Sequence, residues 1–329
     1  MASMKEMWDV RRASLHDRDA LKELCRAAAG EDDYVIERLE SMILHGVMDV
    51  ALDGGRIVGM MHYSEGIDGS AWLAAARTHP AYRRRGVAAS LIQNAVGLAR
   101  RSRVHALRLV SAASNAAGTA SVLANGFHEV ARFTRVKRAT SKGALRTAAL
   151  AFDADLVREI TDSKVLRIGN GYVPYGHYFV PLTPANVHLL ANARAFFRVG
   201  GGIAVVSADS EDPATVEGVV EFGLVAGDPS GILRALPGTV GQLKELKSFL
   251  PFDRVVLGAA HRAGFEVEAW GRKVVLYERP VEVGPTTYRK RRTYAEIAAG
   301  KREGYAALAL LAGGQGHGHT GPHEDRWNP

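Results

Sequence analysis

Arg83-Arg84-Arg85-Gly86-Val87-Ala88-Ala89 follows Ala71-Trp72-Leu73-Ala74-Ala75-Ala76-Arg77-Thr78-His79-Pro80 and leads into Ser90-Leu91-Ile92-Gln93-Asn94-Ala95-Val96-Gly97-Leu98-Ala99. The apolar run before it reads as a strand, the basic residues as a tight loop, and the run after it as a helix. Gly86 can take backbone angles closed to other residues, and small neighbours let the main chain approach a ligand closely. A helix start presents unpaired N–H groups and the positive end of the helix dipole. Such a corner suits a diphosphate held by main-chain amides, with Arg83, Arg84 and Arg85 adding charge.

Outward from this corner the pattern is regular. Asp9 to Ala13 reads as a short strand, and Ser14-Leu15-His16-Asp17 as the cap of a helix through Cys25. An acidic turn, Glu31-Asp32-Asp33-Tyr34, precedes a second helix from Val35 to Leu44. Val47 to Leu52 and Arg56 to Tyr63 flank Asp53-Gly54-Gly55, a hairpin signal. Beyond the long helix come a strand (Ala106 to Ser111), a helix (Ser114 to Ala124) stopped by Asn125-Gly126, and a strand from Phe127 to Val136.

The motif Arg83-x-x-Gly86-x-Ala88, in the order β-α-α-β-β-β-α-β-α-β, resembles the Gcn5-related N-acetyltransferase (GNAT) superfamily. The resemblance covers residues 8 to 138 and includes the Gly126-Phe127 step. It implies an α/β (α+β) acyl-CoA N-acyltransferase fold, a mixed central sheet with flanking helices. It also implies acetyl-CoA as co-substrate. Thr78, Arg83, Arg84, Arg85, Gly86, Val87, Ala88 and Ala89 would contact the cofactor, with an oxyanion donor from a backbone N–H near Thr78 on a splayed strand. Asn115 matches the family asparagine that reaches the pantetheine arm; a plain helix cap explains it equally well. The family often has a tyrosine seven residues further on that protonates the leaving thiolate. Here Val122 stands there, and a thiolate can leave unassisted because its conjugate acid has a pKa of about 8.5.

No carboxylate lies on the strand Ala71 to Thr78. Candidate catalytic residues are therefore Glu31, Asp33 and Glu65 as bases, with Asp32, His62 and His79 behind them, and Arg77. The acidic turn either binds an ammonium group or is a solvated helix start. Arg77 either binds an acceptor carboxylate or sits on a solvated sheet face. Asp32-Asp33-Tyr34-Val35, Arg77-x-His79-Pro80 and the basic loop also look similar to the histidine N-acetyltransferase group. That narrower likeness implies the α-amine of a free amino acid as acceptor.

From Lys164 a second module is expected, a worn copy of the same fold. Thr183-Pro184-Ala185-Asn186 caps a helix to about Arg198, and Gly202 to Ser207 pairs with Val216 to Val225. Thr239 to Lys247 reads as helix, Arg254 to Gly258 as strand, and Gly264-Phe265 repeats Gly126-Phe127. Its counterpart to the basic loop, Gly227-Asp228-Pro229-Ser230-Gly231, lacks arginines, and Asp228 would repel a pyrophosphate. The expected organisation is a catalytic domain at 1–138, a connector at 139–163, a degenerate domain at 164–285, and a basic helix with a disordered tail at 286–329. Tyr172-Val173-Pro174-Tyr175-Gly176-His177-Tyr178 is either packing or a wall of the acceptor pocket.

Composition sets outer bounds. Cys25 is the one cysteine, so no intrachain disulfide or cysteine metal site is expected. The His-rich tail has no scaffold for a metal, and none is expected. The start of the chain lacks a signal-peptide plan, and no apolar run is long enough for a membrane span, so a cytoplasmic place is expected. A net charge of +7 permits anionic ligands; nucleic acid has only the basic patch Tyr288 to Arg292 behind it. Scarce Gln and Asn suit a thermophilic source, and genomic base bias toward Ala, Gly and Arg is the alternative. The expected function is acetyl-CoA-dependent N-acetylation of a small-molecule primary amine by direct attack on the thioester, with a homodimer compatible. The alternatives are a protein N-acetyltransferase and a non-catalytic CoA-binding sensor.

Overall fold

The computed structural model describes residues 8–140, 148–176, 178–207, 219–239 and 245–283. The expected basic helix and disordered tail lie outside them, as do His177 and the tail histidines. The described residues belong to one compact unit, Met1–Thr286.

The first half runs β1 (Asp9–Arg12), α1 (Arg18–Ala29), α2 (Val35–His45), β2 (Val47–Asp53), β3 (Arg56–Glu65), β4 (Ala71–Thr78), α3 (Val87–Ser102), β5 (Ala106–Ala112), α4 (Ala116–Ala124) and β6 (His128–Ala139). The second runs α5 (Ala154–Thr161), α6 (Lys164–Ile168), β7 (Tyr172–Tyr175), β8 (Tyr178–Pro181), α7 (Pro184–Asn192), β9 (Phe196–Val199), β10 (Gly202–Val206), β11 (Val219–Ala226), α8 (Pro229–Thr239), β12 (Glu245–Pro251), α9 (Arg254–Arg262), β13 (Glu266–Val267) and β14 (Val274–Pro280). The expected α/β class with a mixed sheet and flanking helices is the class observed.

Three expectations in the second half need correction. The helix capped at Thr183 ends at Asn192 rather than near Arg198, because Phe196–Val199 pair with β10 as a strand. Arg254 to Gly258 is helical, because the Asp253 carboxylate accepts the amides of Val255 and Val256 and caps α9. That cap overrides the β-branched valines. Of the helix expected at Thr239 to Lys247, residues 240–244 lie outside the described residues, Thr239 closes α8, and Glu245 to Lys247 belong to β12. There the backbone pairs with β6 from Glu245↔Ala139 to Pro251↔Phe133, so long-range pairing sets the state.

One sheet serves both halves, in the order β1-β2-β3-β4-β5-β14-β6-β12-β11-β10-β9, with β13 attached to β6. The centre is an exchange. The last strand of the first half, β6, pairs with β12, and the last strand of the second half, β14, pairs with β5. Side chains follow the same exchange. Arg279 on β14 donates to the Asn125 carbonyl at the end of α4 and lies over Gly126 (φ +81°). Arg138 on β6 donates to the Ala263 carbonyl at the end of α9 and lies over Gly264 (φ +78°).

On one face of the first half, α3 and α4 bury Leu73, Leu91, Ile92, Leu107 and Phe127. On the other, α1 and α2 cover Met48, Val50 and Met60. Further along that face the β7–β8 hairpin packs Phe179 on Trp72, Phe133 and Phe249. Arg108 on β5, 2% exposed, pins the hairpin. It donates to Asp68 at 2.5 Å, Glu278 at 2.6 Å and the Phe179 carbonyl at 3.3 Å.

Candidate active site

Strands β4 and β5 pair in parallel only at Ala71↔Leu107 and Trp72↔Arg108. Beyond Trp72 they separate. A bend sits just beyond: Ala75 takes φ +52°, and the β3–β4 register shifts between Met60 and His62. One residue in a left-handed conformation inserts a bulge, which bends a strand away from its neighbour. The His79 amide donates to the Val58 carbonyl on the β3 side. Because successive amides alternate along a strand, the Thr78 amide is turned to the opposite edge, which opens toward β5.

At the end of β4, Pro80–Tyr82 form one 3-10 turn. Arg84 (φ +60°) and Gly86 (φ +86°) then reverse the chain into α3. Gly59 lets β3 approach the start of α3, since a Cβ there would stand 2.4 Å from Val87 Cγ1. Among the described residues, the amides of Arg84, Arg85, Gly86, Val87, Ala88 and Ala89 have no protein partner; the first amide of α3 to find one is that of Ser90. These unpaired donors at a helix start form an anion cradle.

The three arginines differ in what they touch. Arg83 donates to the Ala28 carbonyl at the end of α1. Arg85 lies over the rings of Trp8 and Tyr82, and its carbonyl accepts the Trp8 indole N–H. Tyr82 in turn donates to Asp53 at 2.8 Å. Arg84 has no partner among the described residues and stays exposed. The part played by Trp8 was missed in the sequence, because no spacing rule joins it to a loop some seventy-seven residues away.

Asn115 sits at the start of α4 near the open end of β5. Its carbonyl accepts the Gly118 amide and its N–H group donates to Ser111 Oγ, so its side chain acts as a helix cap. Val122 is buried in the core under α4.

The candidate bases do not converge. Glu31 is 79% exposed and pairs with Arg26 on the surface. Glu65 is exposed opposite Ala71, where β4 and β5 are still joined. Asp33 is buried and held by Arg77 through two hydrogen bonds, of 2.7 and 2.5 Å. Burial pushes the Asp33 carboxyl up, but the Arg77 hydrogen bonds and charge outweigh it and leave the pKa below the ordinary value. Both carboxylate oxygens are engaged by Arg77 and the side chain is 1% exposed, so Asp33 is not placed as a free base, which corrects that expectation. The same pair corrects Arg77. Its guanidinium is spent on Asp33 and the Ala76 carbonyl, and it lies on neither a solvated face nor a free carboxylate site. Asp32 lies in the turn beside this pair, and His79 accepts the Ala81 amide. His62 is buried against Gly46, its Nε2 has no partner, and burial lowers its pKa to about 4.

The loop of the second half has the opposite character. The Asp228 carboxylate itself accepts the Ser230 and Gly231 amides, and the Gly200 backbone packs against Gly231. The donors that would face an anion are already used.

Residues 13–127 match the family model of the Acetyltransferase (GNAT) family. This segment is a GNAT module. No curated protein matches the chain. Solved structures similar to it include a GCN5-related N-acetyltransferase from Sphaerobacter thermophilus, 14% identical, with TM-score 0.48 over 85% of this chain and 98% of that one. The ribosomal-protein-S18-alanine N-acetyltransferase from Escherichia coli is 18% identical, with TM-score 0.35 over 42% and 85%. The PaiA N-acetyltransferase from Thermoplasma acidophilum, solved in complex with coenzyme A, is 18% identical, with TM-score 0.34 over 37% and 89%. Over those residues the match supports a module of the N-acetyltransferase type. Among the described residues no cluster of His, Cys, Asp or Glu could hold a metal ion, and no helix is long and apolar enough to cross a membrane.

Proposed function

We propose that this protein transfers an acetyl group from acetyl-CoA to the primary amine of a small molecule. The observation that carries the reading is the row of unpartnered amides from Arg84 to Ala89 beside the split between β4 and β5. Those amides and Arg84 would hold the diphosphate, and the split would receive the pantetheine arm. The Thr78 amide would donate to the thioester oxygen as negative charge develops there. The amine nitrogen forms a bond to the carbonyl carbon, the C–S bond breaks, and the thiolate leaves. The amine proton passes to solvent, and the thiolate departs without a phenol at position 122.

The small-molecule acceptor is supported by the β7–β8 hairpin. Tyr178 donates to Ser64 Oγ at 3.2 Å and packs edge-on against Trp72, covering the sheet face just before the point where β4 and β5 part. A free amino acid stays within the class, although Arg77 no longer argues for it. The second half is proposed as a degenerate copy. Its support is the paired exchange of β6 and β14, the matching Arg138 and Arg279 contacts, and a loop filled by Asp228.

Thiol release from acetyl-CoA with a pool of small amines tests the reaction, and calorimetry tests the cofactor. One CoA per chain is expected, with release for at least one amine. Gly86→Val should remove both, since a branched residue is not accommodated at φ +86°. CoA binding without release for any amine would favour the sensor reading; two CoA per chain would overturn the degenerate second half.

A further inference from the structure

The end of β4 has lost one neighbour. Beyond Trp72 nothing on β5 pairs with it, and β3 holds its other edge through Met60↔Arg77 and Gly59↔Thr78. A strand freed on one side would regain hydrogen bonds by closing back onto that neighbour. Something must oppose that closure, and the bulge at Ala75 supplies only a bend.

Arg77 is the side chain placed to do so. Its Nε and one Nη reach the two oxygens of Asp33, and its other Nη donates to the Ala76 carbonyl at 3.0 Å. Asp33 is fixed in turn. Its carboxylate accepts the Val35 amide at the start of α2, and its carbonyl accepts the Ile36 amide. Its side chain is 1% exposed, and Tyr34 lies under the Arg77 guanidinium. A planar guanidinium held by a planar carboxylate fixes distance and angle together. The contact therefore ties the free end of β4 to the α1–α2 loop, on the face away from α3.

We infer that Asp33 and Arg77 form a positioning strut that keeps β4 split from β5, and so sets the width of the cleft that receives the pantetheine arm. The inference rests on the acetyl-CoA reading above. Neither residue touches the reacting atoms; both act through the backbone of Ala76 to Thr78.

The test compares two ligands by calorimetry. CoA fills the loop and the cleft, whereas adenosine 3′,5′-bisphosphate lacks the pantetheine arm. Wild type should bind both. Asp33→Asn and Arg77→Met should bind CoA about tenfold or more weakly, while affinity for the bisphosphate stays within about twofold. Arg77→Lys keeps the charge but cannot serve both Asp33 oxygens and the Ala76 carbonyl, so it should fall between. It also decides the matter alone if the other variants do not fold. Equal weakening of both ligands would mean a general structural role, and unchanged CoA binding would mean no role; either overturns the strut. A wild type that binds no CoA would instead overturn the acetyl-CoA reading on which the strut depends.

Discussion

Replacing Arg108 with methionine should destabilise the protein, and the loss should depend on pH in a particular direction. Arg108 is 2% exposed and holds the Asp68 carboxylate, 2% exposed, at 2.5 Å and the Glu278 carboxylate, 17% exposed, at 2.6 Å. It also donates to Ser70 Oγ and lies over the Tyr172 ring, while Tyr172 donates to Glu278. Methionine fills much of the volume but leaves two carboxylates without their cation. Breaking a buried pair in this way costs about 3–5 kcal/mol, a large part of a total stability of about 5–15 kcal/mol. In the wild type, burial raises the Asp68 pKa, but the charge and hydrogen bonds of Arg108, with those of Ser70, leave it below the ordinary value. That group contributes stability above the unfolded carboxylate pKa of about 3.9, and the contribution is lost as pH falls through the folded value. In the variant only the Ser70 hydrogen bonds oppose burial, the largest cause, so the folded pKa is expected to rise above the unfolded one. Stability is then lost as pH rises between them. Urea unfolding of both proteins at about pH 5 and about pH 7.5 should therefore show a difference of about 3 kcal/mol or more at the higher pH that shrinks at the lower. A difference under about 1 kcal/mol at the higher pH, or one that grows on acidification, would refute the reasoning.

Two further outcomes follow from the fold. A chain ending near residue 150 lacks β14, leaving an edge of β5 and both edges of β6 unpaired and the end of α4 without Arg279; it should stay unfolded or aggregate, and a cooperative thermal transition like that of the full chain would contradict the exchange. Cys25 is buried, and burial, with the negative charge of Asp33, pushes its thiol up to about 11. Labelling by a thiol reagent at neutral pH should therefore follow unfolding, and fast labelling of the native protein would show that α1 opens locally.

Much of the first half was legible because its signals are local. Asp53-Gly54-Gly55 accepts positive φ at both glycines and turns β2 into β3. The small and basic loop before an amphipathic run gives a strand–loop–helix corner, and Asn125-Gly126 stops α4. The side chains assigned to chemistry were less legible. Asp33 and Arg77 stand forty-four positions apart, and only packing brings them into one ion pair. Before that contact is known, a carboxylate reads as a base and an arginine as a receptor. Asn115 satisfies a local rule, and its cap contacts are local as well.

The sequence by itself therefore determined the corner that carries the amides, because φ-permissive glycine, helix propensity and the cap rules act within a few residues. It also determined that the second loop differs, since Asp228 stands beside the very amides it then occupies. Tertiary structure alone decided which strand completes which half, that the Tyr178 hairpin packs on Ser64 and Trp72, and that Asp33 and Arg77 neutralise each other. Such pairings join residues far apart in the chain. Their free energy comes from burial and charge that exist only once the sheet has formed.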